Sequence, residues 1–99
     1  MIINVKKRQI IYGIKKKEYF SLSNRELRVL LLLSDNCMHS INDLLEFTHC
    51  NSANAIRLLI SRLKKKIKCL EIKTYNQFGY KLKTLIFIEK ENNYVSSRK

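Results

Sequence analysis

Between residues 54 and 67 the chain reads NAIRLLISRLKKKI. With successive side chains 100° apart around a helix, Ile56, Leu59, Ile60, Leu63 and Ile67 gather on one side. The opposite side collects Asn51, Asn54, Leu58, Ser61, Arg62 and Lys65, and Arg57, Lys64, Lys66 and Lys68 fill the flanks. This spacing predicts an amphipathic helix over 52–68, capped by Asn51 or Ser52. Two more helical patterns precede it. In SNRE, Ser23 and Glu26 stand at the spacing of a capping box, followed by Leu27, Leu30 and Leu31 at intervals of three and four. That helix ends at Asp35 and Asn36. After a short extended link, CMHS, Ser40 opens a second helix, with Asp43 three residues on. Ile41, Leu44, Leu45 and Phe47 supply its buried side, and THCN breaks it.

At both ends of the chain the apolar period drops to two. IINV, RQIIYGI and KKKEYFSL predict a small antiparallel sheet of three strands, with Gly13 and the lysine clusters at its turns. LEIKTY and YKLKTLIFI flank NQFG and predict a β-hairpin, with Gly79 expected at positive φ. Lys73, Lys81 and Lys83 lie on its strands. The order is sheet, three helices, hairpin: an α+β chain, one domain over 1–88, with a polar tail over 89–99.

Charge changes the picture most. Lys and Arg number 20 against 8 Asp and Glu, a net +12 in 99 residues. Such a balance favours a polyanionic partner. No carboxylate occurs between Glu46 and Glu71, so ion pairs one turn apart cannot offset the repulsion along the third helix. Nothing looks like a targeting signal, and VLLLL is far too short to span a membrane. A cytoplasmic protein without membrane contact is expected. Cys37, Cys50 and Cys69 are an odd number without metal-type spacing, so reduced thiols and no metal are expected. Without a Gly-rich phosphate loop, an HExxH or a Ser/His/Asp order, neither cofactor nor enzymatic activity is expected.

A helix-turn-helix followed by a basic hairpin suits duplex DNA, whose major groove admits one α-helix. Lysines and arginines then neutralise phosphates, and a few outward side chains read bases: Arg62 a guanine, Asn54 an adenine, Leu58 a thymine methyl.

LSNRELRVLLLL, AIRLLISRLKKKI and IKTYNQFGYKL together resemble the winged helix-turn-helix DNA-binding domain of the OmpR/PhoB response-regulator family, over about residues 3 to 82. The resemblance implies a winged helix-turn-helix: N-terminal antiparallel sheet, three helices and a C-terminal hairpin wing over 71–83. It places Arg62 and Lys64 among basic positions that face DNA, and Leu58 and Ser61 among outward positions of the same helix. Thr74 matches the threonine that meets a phosphate, and Asn76 falls where members often carry a minor-groove arginine. Gly79 and Tyr80 match a structural pair. The full expected DNA-contact set is Asn54, Arg57, Leu58, Ser61, Arg62, Lys64, Lys65, Lys66, Lys73, Thr74, Asn76 and Lys81.

A receiver domain normally precedes this module in the family, and 99 residues leave no room for one, so control through a receiver is not expected. THCN is shorter than the usual link, which in activators resembles an RNA polymerase contact, and Arg57 replaces an acid. The implied function is a sequence-specific regulator of transcription on double-stranded DNA, working as a homodimer or tandem oligomer, with RNA polymerase as a further candidate partner. The alternative is a winged-helix protein-interaction adapter with only non-specific DNA affinity. RNA binding ranks below both, since no RNP-like pattern surrounds Tyr12, Tyr19 and Phe20.

Overall fold

The computed structural model describes residues 1–13, 15–75 and 78–89. The three expected helices form: α1 (Asn24–Leu33), α2 (Ile41–Thr48) and α3 (Ala53–Lys66). Each starts at a serine whose hydroxyl accepts an amide N–H three residues on. Ser23 accepts from Glu26, Ser40 from Asp43 and Ser52 from Ala55. At α1 the box is complete, because the Ser23 amide donates to Glu26 Oε1 at 2.9 Å. These contacts satisfy amides that helix geometry leaves without partners.

The first three strands are β1 (Ile2–Asn4), β2 (Gln9–Tyr12) and β3 (Glu18–Ser21), antiparallel as the alternation predicts. Gly13, at φ +109°, turns the chain after β2. CMHS is more than a link: its last three residues form β4 (Met38–Ser40). The hairpin comprises β5 (Ile72–Tyr75) and β6 (Gly79–Leu82), and β4 joins β6 to give a three-stranded sheet.

YKLKTLIFI is not one strand. It breaks after Leu82, where the Lys83 amide donates to the Glu71 carbonyl and Thr84 Oγ1 accepts the Glu71 amide at 2.7 Å. The Asn36 side-chain amide donates to the carbonyls of Leu82 and Thr84. The chain then resumes as β7 (Phe87–Glu89), parallel to β1, completing a four-stranded sheet in the order β3-β2-β1-β7.

One core unites these parts. Ile3 and Ile10 from the sheet, Val29, Leu30 and Leu33 from α1, Leu44 from α2, Ile56 and Leu63 from α3, and Leu82 from β6 are all fully buried. Burying each such side chain contributes on the order of 1.5–3 kcal/mol. Some expected details change. Phe47 is 39 % exposed and Leu31 only half-buried, while Thr48 is buried, its hydroxyl donating to the Leu44 carbonyl at 2.6 Å. A hydroxyl that satisfies the preceding turn can enter the core without a desolvation penalty. Gly79 is not at positive φ. It is needed because β4 passes so close that an added Cβ would overlap the His39 carbonyl oxygen.

Candidate nucleic-acid interface

Between α2 and α3 the chain turns in four residues, 49–52. His49 takes the left-handed conformation at φ 60°, and Thr48 Oγ1 accepts the Cys50 amide. A β-region Ser52 then caps α3. The turn presents α3 with its aliphatic stripe inward: Ile56, Leu59, Ile60 and Leu63, with Ile67 just beyond, are all buried.

The other side stands in solvent. Asn54, Arg57, Leu58, Ser61, Arg62, Lys64 and Lys65 are all exposed. Among the described residues, no carboxylate pairs with Arg57, Arg62, Lys64 or Lys65. Leu58, 51 % exposed, sits amid these charges. Arg62 and Leu58 also line a cleft of about 320 Å³ with Ser23, Arg25, Cys50, Ala55 and Leu59. Arg25 in the first turn of α1 therefore extends the basic rim beyond α3. Sequence spacing does not place it there, because the signal is a contact between separate helices.

Lys66 stands apart from its neighbours. Its ammonium lies 2.8 Å from Glu26 Oε1 and 3.0 Å from the Ser21 carbonyl. Glu26 is only 5 % exposed and already accepts the Ser23 amide. Lys66 thus fastens the end of α3 to the start of α1 and to β3, and its charge is compensated within the molecule. The gap in carboxylates around α3 is real along the sequence, but tertiary packing supplies one from 40 residues away.

The hairpin divides its candidates. Lys73 and Lys81 are directly opposite each other across β5 and β6. Lys73 is exposed, its ammonium 5.2 Å from the centre of the Tyr75 ring, and Lys81 is half-buried. Opposed like charges disfavour the strand pair unless an anion relieves them. Thr74 is exposed but belongs to the alternate row, opposite buried Tyr80. Asn76 lies outside the described residues, as does the tail from residue 90. At the end of the hairpin the Phe78 amide donates to the Tyr75 carbonyl at 2.8 Å, and the Ile41 amide donates to the Phe78 carbonyl at 2.9 Å.

Asp43 and Glu46 lie away from this face. His39, Asp43, Glu46, Leu32 and Phe47 line a separate open groove of about 450 Å³. His39 Nε2 is 3.0 Å from both Asp35 carboxylate oxygens. Slight burial pushes the Asp35 carboxyl up, but the Cys37 amide and the His39 ring hold it, on balance, below its ordinary value of 3.8. Among the described residues, no group of three or more His, Cys, Asp or Glu is arranged to hold a metal ion. No helix there is long and apolar enough to cross a membrane.

No family model matches the chain, and no curated protein does. A solved structure does: the crystal structure of the DNA-binding domain of Bacillus subtilis CssR, at 22 % identity, covering 73 % of this chain and 89 % of that one, with a TM-score of 0.64. Two neighbouring helices joined by a four-residue turn, followed by a hairpin that a third strand braces, give this chain the winged helix-turn-helix fold of that domain.

Proposed function

We propose that the chain is a transcription regulator that binds double-stranded DNA, with α3 in the major groove and the β5–β6 hairpin on the backbone or minor groove. The observation that carries this reading is the outward side of α3. Arg57, Arg62, Lys64 and Lys65 are held out in solvent without carboxylate partners among the described residues, while Lys66 one position further is neutralised. The fold shared with a DNA-binding domain supports the same reading. Lys64, Lys65, Arg57, Arg25, Lys73 and Lys81 contact phosphates, and Arg62, Asn54, Leu58 and Ser61 face base edges. Because one small module buries little surface, two copies on adjacent half-sites supply the specificity.

Electrophoretic shifts across a salt series test it. With about six phosphate contacts, log K falls against log salt with a slope near −5. Binding that ignores salt would sink the proposal. A protein-interaction adapter is the second reading, favoured by Leu58 in the middle of the polar face. Arg62→Ala separates the two: a DNA reader loses about 1–3 kcal/mol of discrimination between sites, and an adapter loses none.

A further inference from the structure

The outer side of the four-stranded sheet carries a row of exposed and half-exposed apolar side chains on which no other described element packs. Strand register places Phe87 beside Ile2, Ile2 beside Ile11, and Ile11 beside Tyr19. The alternate row, Ile88, Ile3, Ile10 and Phe20, points the other way, and its Ile3 and Ile10 are fully buried in the core. The open face of such a sheet ordinarily alternates to polar residues. Here Phe87 is 61 % exposed, Tyr19 58 % and Ile2 41 %, with Ile11 half-buried. The polar row on that face is one step along: Glu89, Asn4, Gln9 and Ser21, with Asn4 Nδ2 donating to Glu89 Oε1 at 3.1 Å.

We propose that this row is a two-fold interface that takes a second copy of the same chain. The occupant follows from the pattern. The row reads large, small, small, large: Tyr19, Ile11, Ile2, Phe87. A two-fold axis lying along the strands, between Ile11 and Ile2, sets each Tyr19 on the partner's Phe87 and each Ile11 on the partner's Ile2. Such a surface is self-complementary, as an interface between identical chains requires. The row carries no charge, so nothing in it selects an acidic or basic partner. Its extent sets the strength. With an aromatic side chain burying 150–250 Å² when fully covered, the row offers roughly 300–400 Å² per copy. That is about half of the ~800 Å² per partner in standard interfaces, so the pair is weak in free solution. None of its residues belongs to α3 or to the wing, so the interface stands independently of the DNA reading and is compatible with it.

Charge gives the association a signature opposite to that of DNA binding. Two chains of net +12 repel each other, and salt screens that repulsion. Self-association therefore strengthens between low and high salt, where binding to DNA weakens. Sedimentation equilibrium on the full chain in about 0.5 M salt, where screening is strong, is the test. The mean mass is expected to rise towards a dimer as the chain approaches millimolar concentration. Tyr19→Asp and Phe87→Lys each lower the association constant at least about tenfold, and at about 0.1 M salt the double variant regains part of that loss over either single one, because each aspartate then faces a partner lysine. Both side chains are more than half exposed, so thermal melts of the variants should match the parent. A chain that stays monomeric throughout, or a dimer indifferent to both substitutions, overturns the proposal. So does a monomer in which these side chains are shielded from a soluble paramagnetic agent, which would assign the row to the chain's own segment 90–99.

Discussion

Lys64, Lys65 and Lys66 are identical in sequence and adjacent, yet the structure gives the third a different task. Replacing each in turn by glutamine removes one positive charge and keeps most of the stem. For Lys64 and Lys65, exposed and without carboxylate partners among the described residues, stability should move by less than about 0.5 kcal/mol. The salt slope of DNA binding should shrink by about 0.9 for each phosphate that is no longer neutralised. For Lys66 the expectations reverse. Its ammonium is 2.8 Å from Glu26 Oε1, and Glu26 is almost wholly buried. Breaking a fully buried pair costs about 3–5 kcal/mol, and an exposed pair is worth about 1 kcal/mol at most. The Lys66 side chain is 38 % exposed and the Glu26 side chain keeps its bond to the Ser23 amide, which places the loss at about 1–2 kcal/mol. For a domain of this size that is a fall in Tm of roughly 5–15 °C. Calorimetry reads the stability, and fluorescence anisotropy with a labelled duplex at four or five salt concentrations reads the slope. If Lys66→Gln flattens the slope as much as its neighbours and leaves Tm unchanged, the division of labour is wrong.

Other outcomes follow from single contacts. Gly79→Ala drives a Cβ into the His39 carbonyl and should cost more than about 2 kcal/mol by parting β4 from β6, measurable by urea unfolding. Arg25→Ala should weaken DNA binding and reduce the salt slope by about 1 without lowering Tm, since Arg25 is exposed and lines the same cleft as Arg62. Asp35 is held below its ordinary value of 3.8 in the folded chain, so its contribution is complete above that value and fades as pH falls through the folded one. Melting temperatures of the parent and Asp35→Asn should accordingly differ at about pH 5 and draw together as pH falls below that ordinary value.

What could be read from the sequence was whatever depends on near neighbours. Ser23, Ser40 and Ser52 announce their helices because a cap acts over three residues. The buried stripe of α3 is visible because helical period alone sorts Ile56, Leu59, Ile60 and Leu63 from Arg57, Leu58, Ser61 and Arg62. What escaped depends on partners far along the chain. Glu26 looks complete as a capping residue, and nothing local reveals its second bond to Lys66. LIFI looks like the end of a hairpin strand, although it leaves that sheet to pair with β1. Gly79 was expected to serve its own backbone angle, whereas it makes room for another strand. The position of Lys66 within a run of like residues shows the limit most plainly, since one more step around the helix changes the surface it meets.

The parallel pairing of β7 with β1 has a consequence for synthesis. Ile2–Asn4 leave the ribosome more than eighty residues ahead of Phe87–Glu89. Over that stretch of translation one flank of the first strand lacks its mate, and the β-layer can close only once Phe87–Glu89 have emerged. A stop codon before position 87 would yield a product whose helices are intact in sequence but whose opening strand retains bare amides and carbonyls, a template for aggregation rather than a smaller working domain.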